Sequence, residues 1–235
     1  MKITLLTGRT FDFSKHLGFE IKVIKSPQAK RLTLRIDEKK RRPVLTIPKY
    51  CSQTKALNFL DEHRDWIINM LARLPVATGF TDGSVLSFFA RQYTIRHNPD
   101  QRGTFFEGDY LKVGGKPEFL HRRVTDFLKE QTLKQLSELT VKKAKLLNCR
   151  IAGVSVKDTK SRWGSCSTLK NINYNWRICF APEYVIDYLI CHEVSHLKHP
   201  DHSANFWATV KELCPNYEKG RHWLKVKGKD LYKYI

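Results

Sequence analysis

The stretch that decides the reading runs His192-Glu193-Val194-Ser195-His196-Leu197-Lys198-His199-Pro200-Asp201-His202. Two histidines four positions apart fall on one face of an α-helix, with Cβ atoms about 6 Å apart. Their ring nitrogens can meet on one cation, and Glu193 then stands beside that cation instead of on it. This is the HExxH arrangement, in which two metal ligands are paired with a general base. The preceding segment opens with Pro182, a residue suited to a first helical position. Val185, Ile186, Leu189 and Ile190 then recur at helical spacing, so the motif is expected on a partly buried helix. A rigid element of that kind holds ligands in place.

Two histidines compete for the third ligand. On a continuous helix His199 would lie about 10 Å along the axis from His192. Nitrogens that far apart do not easily share an ion placed about 2.1 Å from each. Pro200 biases His199 away from helical backbone and ends the helix there. Asp201 is then expected to cap a second helix starting near His202, and the turn returns His202 toward the ion. His202 is the preferred ligand and His199 is read as a rim residue, with ligation by His199 left open. Three neutral imidazoles would leave a fourth position for water, whose pKa a zinc ion lowers toward about 7. Glu193 would accept the water's proton and deliver it to the leaving group. A structural zinc site, closed by four ligands, has no use for such a carboxylate.

Length and composition set the frame. The chain has 235 residues, 41% hydrophobic and 11% aromatic, enough for one large domain or two small ones with a buried core. No run approaches the eighteen or so apolar residues of a membrane span. The start, Met1 to Arg9, has too short an apolar stretch for a secretory signal, so a cytoplasmic location is expected. The six cysteines never form a CxxC pair, which argues against a cysteine zinc finger and for reduced, packed thiols. The net charge is +19. Residues 1–75 hold 16 Lys/Arg against 7 Asp/Glu, and residues 151–235 hold 13 against 8. An excess of this size attracts polyanions, so nucleic acid, nucleoprotein or a phosphorylated substrate stand as partner expectations beside plain solubility.

Along the chain, residues 19–24, 31–36 and 43–48 alternate with period two and read as strands. Ser52 is expected to cap one helix running to about Leu74. Residues 86–113 suggest short strands in a meander, and Gly114-Gly115-Lys116-Pro117 marks a boundary. Pro117 to about Leu147 reads as a long helix, followed by strands near 150–158 and 172–180, the motif helix and a helical C-terminus. The loop 160–171 is expected to wall the cleft with Trp163, Gly164, Ser165 and Asn171, with a tight turn that buries Trp163 as the alternative. Asn173, Asn175 and Arg177 on the next strand are expected to face the groove, where an extended peptide could add as a strand. Tyr217, Arg221 and His222 are expected near the ion from the other side, where they could stabilise an oxyanion. Packing is the competing role for these three. Ser165 and Cys166 are not needed as nucleophiles once a metal supplies one.

The segments Ser161-Arg162-Trp163-Gly164-Ser165-Cys166-Ser167 and Asn171-Ile172-Asn173-Tyr174-Asn175-Trp176-Arg177, with the HExxH motif, His202-Ser203 and Phe206-Trp207, resemble the YgjP-like metallopeptidase family. The resemblance extends toward the N-terminus, including Asp65-Trp66-Ile67-Ile68, and its more specific marker is RWGSC. It implies a zincin-like core, zinc at His192, His196 and His202, Glu193 as acid/base, and a protein or peptide substrate. A distant likeness to SprT/Wss1-type proteases, which act on proteins bound to DNA, goes with it. Metzincins share the histidine spacing, but their central glycine is replaced here by His199. With Met1 and Met70 the only methionines, none can form a Met-turn, and that group is rejected.

The fold expected is α+β: an N-terminal antiparallel β-rich part with one helix over 1–115, then a zincin-like core carrying the HExxH helix over 116–235. The function expected is a zinc metallopeptidase. A nucleotide-hydrolysing activity has also been attributed to the resembled family, so a metal-dependent nucleotide pyrophosphohydrolase is the second expectation. A nucleic-acid-associated protein with a relict metal site is the third.

Overall fold

The computed structural model describes residues 2–4, 10–12, 18–37, 40–73, 79–159 and 161–234. The chain divides into two compact units, Met1–Val76 and Ala77–Ile235.

In the first unit β1 (Lys2–Thr4) and β2 (Thr10–Asp12) pair antiparallel. Strands β3 (Lys22–Ser26), β4 (Thr33–Asp37) and β5 (Arg42–Pro48) form a second sheet with β5 at its centre. Ile21, Leu45 and Ile47 form one core with Ala56 and Leu60 of α1 (Gln53–Glu62) and Ile67 of α2 (Arg64–Ala72). Ser52 caps α1 by accepting from the Lys55 amide at 3.2 Å, as its residue type predicts. Two expectations need correction. The sheet is mixed, because β5 runs parallel to β3 and antiparallel to β4; alternation tells which face is buried but not which way a neighbour runs. The single expected helix is two, broken at His63, whose Nδ1 contacts the Phe59 carbonyl oxygen at 2.8 Å. That carbonyl is the one the His63 amide would use in a continuous helix, so the imidazole competes with the ladder. The expected end near Leu74 lies outside the described residues.

In the second unit β6 (Val85–Phe88), β7 (Arg91–Asn98), β8 (Thr104–Glu107) and β9 (Tyr110–Gly114) make a sheet of order β6-β7-β9-β8, with β7 and β9 parallel. A short 3-10 turn, Pro117–Phe119, leads into the long helix α3 (Leu120–Leu146). Its residues 120, 124, 128, 132, 136, 140 and 144 are buried, a four-residue spacing that makes one continuous stripe. Leu86, Phe88, Ile95, Leu111 and Val113 of the sheet join the same core as Leu120, Val124 and Leu128 of α3. The boundary expected at 115 is therefore a turn inside this unit, and the division falls at Val76. A glycine-rich turn marks a change of direction and does not by itself end a core.

A second sheet, of order β10-β12-β11, carries the chain to the site. Strand β10 (Gly153–Lys157) lies parallel to β12 (Asn171–Asn175), and β11 (Gly164–Cys166) lies antiparallel to it on the other side. The strand expected over 172–180 ends at Asn175, and Trp176–Phe180 is a 3-10 turn. Helices α4 (Glu183–Ser195), α5 (Ala204–Leu213) and α6 (Tyr217–Lys227) follow. Among the described residues no helix is long and apolar enough to cross a membrane. All six cysteines are unpaired.

Candidate metal centre

Helix α4 is apolar nearly all round: Val185, Ile186, Tyr188, Leu189, Ile190, Cys191 and Val194 are buried, the pattern of a helix enclosed by its neighbours. It brings His192 and Glu193 into the interior on its last turn. The helix ends earlier than Pro200 alone predicts, at Ser195 with His196 as its C-cap. Residues 197–199 continue as a turn in which the Leu197 amide donates to the Val194 carbonyl and the Lys198 and His199 amides donate to that of Ser195. Helix α5 then starts under Ser203, not Asp201: Ser203 Oγ accepts from the Phe206 amide, while Asp201 Oδ1 accepts from the Ser203 amide.

This reversal carries His202 back to the helix. His202 Nε2 stands 3.2 Å from His192 Nε2, and ligand atoms of His192, His196 and His202 all lie within 4.8 Å of one another. Two nitrogens about 2.1 Å from one tetrahedral ion would lie about 3.4 Å apart. His196 Nδ1 lies 3.0 Å from the His199 carbonyl oxygen. That oxygen can only accept, so Nδ1 carries the proton and Nε2 keeps a lone pair for a cation. His199 thus enters through its backbone. The residue beneath all three rings is Phe206, fully buried, with centroids 5.0, 4.5 and 4.8 Å from those of His192, His196 and His202.

Burial dominates the electrostatics. It pushes His192 down to about 3, helped by His196, His202 and Arg221, so the ring is neutral, as a ligand must be. Burial pushes Glu193 up to about 8, with Arg162 pulling the other way. Glu193 is 3% exposed, and its Oε2 has no hydrogen-bond partner among the described residues. A buried carboxyl without a partner is costly, and a divalent cation in the neighbouring triad would favour its charged form. On these grounds the donor set fits zinc: imidazole nitrogens, no carboxylate ligand, and no fourth protein ligand grouped with the three among the described residues.

Glu193 also rests on Gly164 of β11, where a Cβ would lie 2.3 Å from Oε1. A cavity of about 360 Å³ opens here, lined by Gly164 to Thr168, His192, Glu193, His196, Pro200 and His202. The expected loop 160–171 is therefore in part an edge strand, and Ser165 is among the residues lining this cavity. Trp163 lines an adjoining cavity with Tyr188, Leu189 and Leu224 and packs on Tyr232 at 5.2 Å.

Asn175 and Arg177 are not in the cleft. Asn175 is fully buried; its Oδ1 accepts from the Arg177 amide and its Nδ2 donates to the Thr159 carbonyl. Arg177 is 2% exposed, pairs with Asp158 at 2.7 Å and donates to the Tyr234 carbonyl. Asn173 bonds Ser155 across the sheet. Asn173 and Asn175 lie on β12, the central strand, and Arg177 on the turn after it, so neighbouring segments meet their polar groups. Tyr217 stacks on Trp207 at 5.4 Å, and the Arg221 guanidinium lies 4.4 Å over the same indole. Trp207 in turn is 5.8 Å from His192 and 6.0 Å from His202. His222 is exposed and lines neither cavity. Phe206, Trp207 and the seat at Gly164 were not assigned roles from sequence; the available signal was the helical offset of Phe206 and Trp207 from His202.

Two imidazoles one helical turn apart, a third returned by a tight reversal and a buried carboxyl beside them define a candidate metallohydrolase centre. The chain belongs to the YgjP-like family, whose metallopeptidase domain matches residues 30–227. No curated protein matches the chain. Among solved structures, the metallopeptidase zymogen of Pyrococcus abyssi abylysin is similar at 21% identity over 38% of this chain and 93% of that one. The TM-score is 0.35, too low to fix a common fold.

Proposed function

We propose that this chain is a zinc-dependent peptidase in which His192, His196 and His202 hold the ion and Glu193 moves the proton. The observation that carries this is the convergence of the three ring nitrogens beside an unpartnered, buried carboxyl oxygen. Zinc bound there would supply Lewis acidity toward a carbonyl group and a water of lowered pKa. The chain's own residues do the rest. The His199 carbonyl holds the tautomer of His196. Glu193 Oε2 accepts a proton from water and returns it to the leaving amine. The outer edge of β11 offers backbone groups to an extended peptide, and Arg221 and Tyr217, gathered on Trp207, are the candidates for stabilising developing negative charge.

Glu193→Gln keeps the shape of the side chain and removes the base. It is expected to retain one zinc per chain by metal analysis while turnover falls about 10²–10⁴-fold. Full activity in that variant would end the proposal.

A second reading places the same chemistry at phosphorus, as a nucleotide pyrophosphohydrolase. What favours it is the charge near the centre, where Arg162 acts on Glu193 and Arg221 on His192, in a chain of net charge +19. Unfolded-protein and nucleoside-triphosphate panels, assayed side by side, separate the two. A role in binding nucleic acid rests on net charge alone and would appear as binding that weakens steeply with salt and survives chelation.

A further inference from the structure

The cavity beyond Gly164 is built differently from the one that holds the histidines. Both touch Gly164, His192 and Glu193, so they meet at the candidate base. The first continues along the backbone of β11 toward Thr168. The second, about 310 Å³, is walled by Trp163, Tyr188, Leu189 and Leu224, with Lys225 also on its lining. Apart from Glu193 and the His192 ring, its walls are apolar or aromatic except at Lys225.

These walls are fixed in place. Tyr188 is buried and packs against Gly220 of α6, where a Cβ would lie 2.5 Å from the Tyr188 Cβ. Trp163 is held through its backbone, since its carbonyl accepts from the Asn175 amide at 2.7 Å, and through its ring by Tyr232. Leu189 is 4% exposed. A preformed apolar recess beside a catalytic group recovers hydrophobic free energy from an apolar occupant without paying to open the site. An extended segment laid along β11 presents alternate side chains to one face, so one of them is positioned to enter the recess.

We infer that the recess formed by Trp163, Tyr188, Leu189 and Leu224 is the specificity subsite, and that it takes a large uncharged apolar or aromatic side chain flanking the scissile bond of a peptide. The inference rests on the peptidase reading and adds to it the class of substrate. Lysine and arginine are excluded at that position. Their charge would be desolvated against the apolar walls and repelled by the Lys225 ammonium at the mouth, and Glu193, the one acidic group on the lining, is engaged with the water at the ion.

The test uses the full chain loaded with zinc and a mixed peptide library read by mass spectrometry. Cleavage sites are expected to be enriched in Phe, Leu, Met or Tyr at a single position next to the bond and depleted of Lys and Arg there. Leu224→Trp fills the recess. The ratio of kcat/KM for a Phe-containing peptide over its Ala counterpart should then fall about 10–200-fold, the range that pocket contacts command. Leu224→Ala enlarges the recess and should move the ratio toward the bulkiest residue, Trp; far-UV circular dichroism verifies that both variants fold. Cleavage with no preference, or a Phe/Ala ratio that both substitutions leave unchanged, overturns the subsite while leaving the peptidase intact. Failure of the zinc-loaded chain to cleave any peptide overturns the peptidase reading and the subsite with it.

Discussion

The carboxyl group of Glu193 rests on the bare Cα of Gly164, so closely that a methyl group there would lie 2.3 Å from Oε1 and 2.7 Å from Cδ. Glycine at the centre of RWGSC is thus explained by the space the carboxyl occupies. Gly164→Ala must push Glu193 aside or displace β11. A misplacement of about 1 Å at a catalytic group costs on the order of 10²-fold. The variant is expected to bind zinc normally and lose about that much in kcat. Wild-type kcat would show that the carboxyl has freedom the packing does not allow.

The roles of the two competing histidines can be separated. His202 presents its ring to the triad, whereas the contribution of His199 to that cluster is a carbonyl that any residue supplies. His202→Ala should weaken zinc binding by more than the 10–100-fold typical of losing an outer partner. His199→Ala should leave the affinity near wild type. Competition titration against a chromophoric chelator measures both, and a larger loss at position 199 than at 202 would reverse the assignment.

Much of this site was legible because its determinants are local. Helical spacing alone put His192 beside His196, and a proline after His199 announced the reversal that returns His202. What was not legible depends on pairing between distant segments. Three residues, Gly164–Cys166, are too few and too small to show an alternating pattern, so β11 read as loop. The strand ahead of a zincin's metal helix commonly lines the groove, which is why Asn175 and Arg177 are expected there; pairing with β11 makes β12 central instead, and both residues are bonded into the interior. Their partners, Thr159, Asp158 and Tyr234, lie 16 to 57 positions away. Parallel pairing of β3 with β5 and of β7 with β9 was hidden for the same reason. The long helix α3, whose stripe is local, was read almost to its ends.

Arg177 makes a stability prediction that a catalytic role would not. Its guanidinium is buried, paired with Asp158, bonded to the Tyr234 carbonyl and packed 4.7 Å over the Trp176 ring. Arg177→Ala leaves Asp158 without this partner and the carbonyl without its donor. Arg177 is buried but Asp158 is exposed, so the cost is set by the carbonyl left without its donor, about 1–3 kcal/mol. Urea denaturation should register a loss of that size. An unchanged midpoint together with lost activity would instead return Arg177 to the cleft, against the geometry.

Chelation tests the centre without any substrate. An ion bound by the native triad and not by the unfolded chain stabilises the fold by mass action, about 4 kcal/mol when free zinc is 1,000 times Kd. For a unit of this size each kcal/mol moves Tm by about 2–4 °C, so zinc should raise the transition of the second unit by about 8–16 °C. A chelator should abolish that rise. His202→Ala should show little of it, because two rings on one helix cannot close the set alone. Calorimetry with and without zinc, on both proteins, reads the difference directly. A Tm indifferent to zinc in the wild-type chain would mean that the three rings converge for packing on Phe206 and not for a cation, and the proposed chemistry would lose its source.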